Sequence, residues 1–291
     1  MTLNVKCAWQ TRAELGEGPL WVARENALYW VDIIQKQVHR LSLADGSQKT
    51  WQFATPITSL AARAQGGFVC TMREGFAFVD LDTDTLEPIA LPEPHLPSNR
   101  FNDGKVDPHG RYWAGSMDNE QVAASGSLYR LDPDHSLHHM DSGYTITNGP
   151  AFSADGRTLY HTDSVARVIY AFDWDAQGAL ANKRVWVRLT EAAEGAPDGM
   201  TVDSEGCVWL CHFGGARLTR YAPTGEVLQV VPLPVPNVTS CTFAGAGLDT
   251  LYITTAVTGL TAAEREKYPL AGSLFSYQPG VRGLPTPYFA G

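Results

Sequence analysis

One sequence unit recurs six times along the chain, and each copy carries a polar or acidic residue at the same place. These residues follow one another at intervals of 41 to 50 residues. The six are Glu17, Thr58, Asn102, Asn148, Asp198 and Thr239. Five of them stand eight residues before a turn glycine, and in the first unit Glu25 and Asn26 occupy that turn instead. A strand–turn–strand unit repeated at this period is typical of a radial array of β-sheets.

Each unit continues with segments in which apolar and polar residues alternate, as they do in a half-buried β-strand. The first unit shows this most clearly in ALYWVDI, QVHRLSL and SQKTWQFA. The best helical candidate is TAAEREKY, in which Thr261 is a suitable N-cap and Pro269 follows Tyr268 as a stop. We therefore predict an all-β, six-bladed β-propeller with four-stranded blades, in which residues 1–291 form a single domain.

The last unit lacks a fourth strand of its own. Its three strand-like segments, TSCTFA, TLYITTA and SLFSYQP, are followed by a short tail rich in proline and glycine. The segment NVKCAWQTR, residues 4–12, precedes the first inner strand and has no other place in the repeat. We predict that this N-terminal segment forms the outer strand of the last blade and so closes the ring.

Charge and cysteine content limit the partners and the compartment. A net charge of −9 disfavours a nucleic-acid partner, because phosphate binding needs a basic face. The N-terminal residues lack the apolar core of a signal peptide, and no apolar run is long enough to span a bilayer. The five cysteines lie mostly in apolar, strand-like runs, which fits a reducing compartment. We expect a cytoplasmic monomer or small homo-oligomer with no membrane partner.

The occupants of the recurring position indicate a polar site at the centre of the ring. The first strand of a propeller blade lines the axis, so these six side chains are expected to surround it. Glu17 and Asp198 supply carboxylates, and Asn102 and Asn148 supply amide oxygens. Each of these alone is better explained by a turn cap, but four at one register favour a site for a hard divalent cation. The two threonines are interpreted as pocket walls or hydrogen-bonding residues.

Four segments of the chain resemble the motifs of the regucalcin (senescence marker protein)/gluconolactonase family. They are LGEGPLW, RFNDGKVDPHGRYWAGSM, ITNGPAFSADGRTLYHTD and PDGMTVDSEGCVW. The resemblance covers nearly the whole chain and is strongest to bacterial sugar-lactone hydrolases. It implies a six-bladed propeller with one divalent metal ion on the axis. It also implies a metal-dependent hydrolase that opens an aldono-1,4- or 1,5-lactone to the aldonic acid in oxidative pentose or hexose breakdown.

The resemblance assigns roles to individual residues. It implies that the metal ligands are Glu17, Asn148 and Asp198. It implies that the substrate-binding residues are Arg100, Asn102 and Glu120. Asp118 is an alternative to Glu120, and Asp103 is expected to support the site. Calcium is the first choice of metal, with zinc, manganese, magnesium and ferrous iron as alternatives.

The residues leave the activation of water and the exact function open. Asp198 is the expected general base, and activation of water directly by the metal is an equal alternative. No G-x-S-x-G motif occurs, so a serine nucleophile is disfavoured. Two other functions fit the same residues. One is a calcium-binding regulatory protein of the regucalcin type, and the other is a metal-dependent esterase or phosphotriesterase for non-sugar substrates.

Overall fold

Six four-stranded antiparallel sheets make up the computed structural model, which describes residues 5–291. The first described strand is β1 (Lys6–Trp9). Blade 1 contains β2 (Gly16–Val22), β3 (Ala27–Asp32), β4 (Gln37–Ser42) and β5 (Gln48–Gln52). Blade 2 contains β6 (Ile57–Ala62), β7 (Phe68–Met72), β8 (Phe76–Asp80) and β9 (Thr85–Ala90). Blade 3 contains β10 (Asn99–Val106), β11 (Tyr112–Asp118), β12 (Gly126–Leu131) and β13 (Leu137–Tyr144).

The second half of the chain continues the same order. Blade 4 contains β14 (Thr147–Phe152), β15 (Thr158–Asp163), β16 (Val168–Trp174) and β17 (Leu180–Arg188). Blade 5 contains β18 (Ala196–Val202), β19 (Val208–Phe213), β20 (Arg217–Tyr221) and β21 (Val227–Pro232). Blade 6 contains β22 (Val238–Ala244), β23 (Thr250–Thr255), β24 (Leu274–Tyr277) and β1. The predicted six-bladed propeller with four-stranded blades is confirmed.

The first strand of each blade is the innermost one. β2, β6, β10, β14, β18 and β22 pack against one another in ring order, and β22 returns to β2. We call the end of the ring where these strands begin the upper face and the opposite end the lower face. Each second strand ends at the upper face, because Asp32 pairs with Gly16 and Asp118 pairs with Asn99. The turns that follow second strands therefore surround the upper opening of the axis.

The N-terminal strand closes the ring, as predicted. β1 pairs antiparallel with β24, with Lys6 opposite Ser276 and Cys7 opposite Phe275. Trp9 packs edge-on against Trp30 of blade 1, with ring centroids 5.0 Å apart, so the closing strand also touches the next blade. Asn4, with which the predicted segment begins, lies outside the described residues.

Short turns rich in aspartate and glycine hold the inner strands in register. After β10, Asp107 accepts hydrogen bonds from Arg111 Nε at 2.6 Å and from Trp113 Nε1 at 2.8 Å. After β18, Asp203 accepts a matching bond from Trp209 Nε1 at 2.9 Å. The two tryptophans are fully buried. One carboxylate thus fixes the turn and satisfies the indole of the following buried strand, as a buried polar group requires.

Helical structure is sparse. The described chain contains the α-helix α1 (Ala262–Lys267) and the 3-10 turns Ala23–Glu25 and Ala192–Glu194. Thr261 caps α1 in a capping box with Glu264, and Tyr268 ends the helix, as the sequence predicts. Within residues 5–291, no helix has the length and apolar character needed to cross a membrane.

The C-terminal segment, residues 281–291, crosses the lower face. Gly283 pairs with Asp203 of blade 5, and Phe289 pairs with Arg63 of blade 2. The Phe289 side chain is fully buried. The segment therefore forms part of the lower boundary of the axial channel.

Candidate active site on the propeller axis

The recurring polar residues all lie on inner strands near the upper face. Glu17, Asn102, Asn148 and Asp198 expose between 4% and 6% of their surface. Because the inner strands are equivalent in the ring, side chains at one register approach the axis together. The structure thus brings to one register of the ring four oxygen-bearing residues whose successive separations in the sequence are 85, 46 and 50 residues.

A chain of hydrogen bonds orients the two asparagines. Asn102 Nδ2 donates to Asn148 Oδ1 at 3.0 Å and to the carbonyl oxygen of Thr147 at 2.7 Å. Asn148 Nδ2 donates to Ser164 Oγ at 2.9 Å, and Ser164 Oγ donates to the carbonyl oxygen of Pro197 at 2.7 Å. These bonds connect blades 3, 4 and 5 and fix which way each amide points.

Ser164 is a residue that the sequence analysis missed. It is buried directly after β15, and its only signal in the sequence is its place behind the YHTD segment of the fourth unit. Its hydroxyl connects the amide of Asn148 to the backbone next to Asp198, as the two bonds above show. Ser164 therefore positions two of the predicted ligand residues relative to each other.

Arg100 contacts the same network. Its Nη1 donates to Asn102 Oδ1 at 2.7 Å and to the carbonyl oxygen of Phe101 at 2.9 Å. Burial lowers the pKa of Arg100 to about 10, and the nearby Glu17 carboxylate opposes that shift. The guanidinium is thus held against Asn102, and the Glu17 carboxylate is near enough to influence it.

Three buried carboxyl groups share the centre of the ring. Burial, followed by repulsion from Asp103, raises the pKa of Glu17 to about 8. Burial, followed by repulsion from Glu17 and Asp103, raises the pKa of Asp198 well above its ordinary value. Burial also raises the pKa of Asp103. Ionising all three groups would bring negative charges together in a poorly solvated place, which is costly unless a cation lies among the groups.

The oxygens of these carboxyl groups are not equally engaged. Asp103 accepts bonds from the backbone amides of Gly104 at 2.8 Å and Gly149 at 3.0 Å. By contrast, Asp198 Oδ1 is buried and has no hydrogen-bond partner among the described residues. A buried oxygen without a partner costs free energy, so it marks a place where a ligand is expected. Asp103 instead ties blade 3 to blade 4.

The hydroxyl groups of the two threonines at the recurring position form hydrogen bonds with other residues of the ring. Thr58 Oγ1 lies 2.7 Å from Thr71 Oγ1 on the neighbouring strand. Thr239 Oγ1 donates to the carbonyl oxygen of Gly16 at 2.5 Å, which joins blade 6 to blade 1. Both hydroxyls are thus engaged by protein atoms, whereas Asp198 keeps a free oxygen.

The structure distinguishes the two acidic candidates, Asp118 at the end of β11 and Glu120 in the turn that follows. The Asp118 carboxylate accepts bonds from the backbone amides of Ala123 at 2.8 Å, Val122 at 3.0 Å and Glu120 at 3.3 Å. These bonds, from Ala123 first and Val122 second, lower the pKa of Asp118. Asp118 therefore orders the turn. Glu120 is exposed in that turn at the upper face, so its carboxylate is free to meet a ligand there.

Two buried histidines on second strands are part of the packing. His161 and His212 are fully buried, and burial lowers their pKa values to about 3 and about 4. His161 packs edge-on against Tyr144, and His212 Nδ1 lies 2.8 Å from the carbonyl oxygen of Glu194. Neither contact belongs to the axial network of Asn148.

The oxygen donors on the axis suit a hard cation when the carboxylates and the amide oxygen are taken together. Within residues 5–291, no group of three or more His, Cys, Asp or Glu side chains is arranged to hold a metal ion. The predicted ligands combine two carboxylates, Glu17 and Asp198, with the amide oxygen of Asn148. The free buried oxygen of Asp198 and the mutual repulsion of the carboxyl groups both fit a divalent cation at this point.

The lower part of the axis has a different character. A cavity of about 490 Å³ lies between the inner strands and the C-terminal segment. Its walls include the apolar residues Leu60, Phe152 and Phe243 and also Asp103 and Lys105. The oriented asparagines and Arg100 lie instead at the upper end of the axis, which therefore suits a polar ligand better.

The ring and its buried oxygen donors define a propeller with a polar ligand site on its axis. The chain belongs to the SMP-30/gluconolactonase/LRE-like family, whose model matches residues 15–257. It is 36% identical to 6-deoxy-6-sulfogluconolactonase of Pseudomonas putida over 100% of both chains. It is 38% identical to regucalcin of Gallus gallus over 100% of this chain and 99% of that one. A solved structure of a calcium-binding protein, regucalcin, from Agrobacterium tumefaciens is also similar, with a TM-score of 0.93, 26% identity and coverage of 99% and 97%.

Proposed function

We propose that this protein is a metal-dependent sugar lactonase, which hydrolyses an aldono-1,4- or 1,5-lactone to the aldonic acid. The observation that carries the proposal is the free, buried Oδ1 of Asp198 at the same register of the ring as Asn102, which Arg100 contacts. A relative of full length is named as a lactonase, which supports the same reaction class. Sugar catabolism in the cytoplasm is the setting that we propose for it.

We propose that Glu17, Asn148 and Asp198 hold one divalent cation. Calcium is the first choice because the donors are all oxygen atoms and a structural relative is named as calcium-binding. Zinc, manganese, magnesium and ferrous iron are alternatives. When bound, the cation acts as a Lewis acid on the lactone carbonyl group.

The side chains supply the remaining chemistry. Arg100 donates hydrogen bonds that orient the sugar hydroxyls. Asn102, whose two N–H groups are already engaged, accepts from a hydroxyl through Oδ1, and Glu120 accepts from a hydroxyl at the upper opening. Asp198 takes a proton from the attacking water as its oxygen bonds to the carbonyl carbon. The bond from that carbon to the ring oxygen then breaks, and the proton passes to the leaving ring oxygen. The product is the open-chain aldonic acid.

The experiment is a pH-drop assay with a panel of sugar lactones. Glucono-, xylono-, arabinono- and galactonolactone are tested alongside the charged lactones described below, with spontaneous hydrolysis subtracted. We expect turnover of at least one lactone, its loss after chelation, and its return with one or more of the cations named above. Absence of turnover across the whole panel with every cation would contradict the proposal.

A second candidate is a calcium-binding regulatory protein, which is favoured by the full-length similarity to regucalcin. The same three ligand residues would then serve binding without hydrolysis. Calorimetric titration with calcium, run beside the lactone assay, separates the two functions. Calcium binding without turnover of any lactone supports the regulatory function.

A further inference from the structure

A second arginine lies beside Arg100 at the upper face. Arg73 occupies the turn between β7 and β8 of blade 2, and its side chain is exposed. Its carbonyl oxygen accepts a hydrogen bond from the backbone amide of Phe101 at 3.0 Å. The backbone of Arg73 is therefore fixed against the residue that follows Arg100 in the chain.

Neither guanidinium group is in direct contact with a carboxylate, although Glu17 lies near Arg100. Arg73 Nη2 donates to the carbonyl oxygen of Pro97 at 3.2 Å. Within the described part of the chain, neither Arg73 nor Arg100 forms an ion pair within 4.0 Å. By contrast, Arg111 pairs with Asp107 at 2.6 Å. Both guanidinium groups therefore keep their positive charge at the upper opening, where it would attract an anionic ligand.

Each guanidinium keeps donors for a ligand. Arg100 uses Nη1 for Asn102 and Phe101, and Arg73 uses Nη2 for Pro97. A guanidinium carries five N–H donors in a planar fork that matches the oxygens of a carboxylate, sulfonate or phosphate. The backbone bond between Phe101 and Arg73 places the two arginines next to each other at the ends of neighbouring blades. Burial lowers the pKa of Arg100, Glu17 opposes that shift and repulsion from Arg73 adds to it, which agrees with this placement.

The two arginines lie at different depths in the upper opening, and this difference determines which end of a ligand each of them would meet. Arg100 contacts Asn102 in the buried network, whereas Arg73 is exposed at the rim. A lactone whose carbonyl group faces Asp198 would extend its far end outward past Arg100. An anionic group on the carbon most distant from the carbonyl would then meet Arg73.

We propose that Arg73 and Arg100 form an anion-binding subsite, and that the substrate is a sugar lactone with an oxyanion at the end distant from the carbonyl. The inference rests on the proposed lactonase function and deepens it by naming the substrate class. The oxyanion is a sulfonate, phosphate or carboxylate, because all three fit the guanidinium fork. Arg73 is thereby assigned as a residue that determines specificity.

The test compares neutral and charged lactones. The kcat/KM values are measured for glucono-1,5-lactone, its 6-phosphate, its 6-deoxy-6-sulfonate and a lactone of glucaric acid. The variants are Arg73→Gln, Arg73→Lys and the control Arg188→Gln. Arg188 is an exposed arginine at the upper end of the outer strand of blade 4. The control therefore removes one positive charge from the same face, away from the opening.

We expect the wild type to prefer at least one charged lactone over the neutral one by about tenfold or more. Arg73→Gln should reduce kcat/KM for that lactone about tenfold more than for glucono-1,5-lactone, chiefly through KM. For the same lactone, the kcat/KM of Arg73→Lys should fall between those of the wild type and Arg73→Gln, because lysine keeps the charge and loses the planar fork. Arg188→Gln should resemble the wild type on every substrate.

The failure of this inference can be distinguished from failure of the lactonase proposal. Hydrolysis of neutral lactones with no preference for any charged one would overturn the inference and leave the lactonase function standing. An equal loss on neutral and charged lactones in Arg73→Gln would overturn it as well. A calorimetric titration with 6-phosphogluconate and gluconate gives a readout that does not need turnover. We expect about tenfold weaker binding of 6-phosphogluconate to Arg73→Gln, and equal binding would contradict the subsite.

Discussion

Replacing Glu17 with glutamine should stabilise the metal-free protein and at the same time impair its function. The Glu17 carboxyl is buried, and burial together with Asp103 raises its pKa from 4.5 to about 8. Its contact with the backbone amide of Gly18, at 3.1 Å, can be kept by the amide oxygen of glutamine. Glu17→Gln therefore removes the titrating group with little change of shape or hydrogen bonding.

The size and sign of the effect follow from the pKa of Glu17. Below pH 4.5 the carboxyl is protonated in the folded and unfolded states, so it does not affect their balance. Between pH 4.5 and about 8 the unfolded chain releases a proton that the folded protein retains. This costs the fold about 1.4 kcal/mol for each pH unit, or about 3 kcal/mol at pH 7. The loss reaches its limit above the folded pKa.

The assay is thermal and chemical unfolding with a chelator present, at several values between pH 5 and pH 8. We expect Glu17→Gln to exceed the wild type by about 3 kcal/mol at pH 7, which corresponds to about 5 °C in Tm for a chain of this size. The advantage should shrink toward pH 5. With saturating calcium the order should reverse, because the wild type gains binding free energy that the variant has largely lost. Glu87→Gln, at an exposed position, serves as the control.

Two results would refute the reasoning. One is a Glu17→Gln protein that is less stable than the wild type at pH 7 in chelator, because the carboxyl would then be stabilising the fold. The other is an advantage that does not change between pH 5 and pH 8, because carboxyl titration must depend on pH. An unchanged response to calcium would separately contradict the role of Glu17 as a ligand.

Three further predictions concern the ligand set, the substrate and the closure of the ring. Asp198→Asn should reduce hydrolysis by about a thousandfold or more and weaken metal binding, with an unchanged circular dichroism spectrum, and near-normal rates would contradict the mechanism. Arg100→Ala should raise KM for the lactone while metal affinity changes less than twofold, and an unchanged KM and kcat would place Arg100 outside the site. Deletion of residues 2–12 should lower the Tm of the whole protein by about 10 °C or more, since it removes β1 and the Trp9 contact, and a wild-type Tm would show that closure does not need this segment.

The fold was predictable from the sequence because each level of the pattern agrees with the others. The repeat sets the number of blades, the alternation of apolar and polar residues sets the strands, and Thr261 sets the start of α1. Closure followed because the last unit lacked a strand and residues 4–12 had no other place. Each of these signals is local or periodic, and such signals can be read without coordinates.

The site was predictable only where the repeat or the family motifs identify residues. Ser164 and Arg73 were missed because their partners, Pro197 and Phe101, are about thirty residues away in the chain and on neighbouring blades. Such contacts depend on how one blade packs on the next, and no short pattern encodes that packing. The use of the Asp118 carboxylate by three backbone amides also depends on the conformation of the following turn. Sequence spacing alone could not separate it from Glu120.

The six equivalent positions differ in whether other residues of the ring provide hydrogen-bond partners for their side chains. Thr58 and Thr239 have hydroxyls short enough to bond to neighbouring strands, so they add to the stability of the ring. Asp198 occupies the same register with an oxygen that the described residues leave without a partner. Repetition provides six similar positions around an axis. Most of them could be filled with side chains whose polar groups find hydrogen-bond partners within the ring. A carboxylate at such a position costs free energy, because it loses solvation and is repelled by the neighbouring carboxyl groups. A bound ligand offsets that cost, and this is why the positions that depart from the repeat coincide with the site.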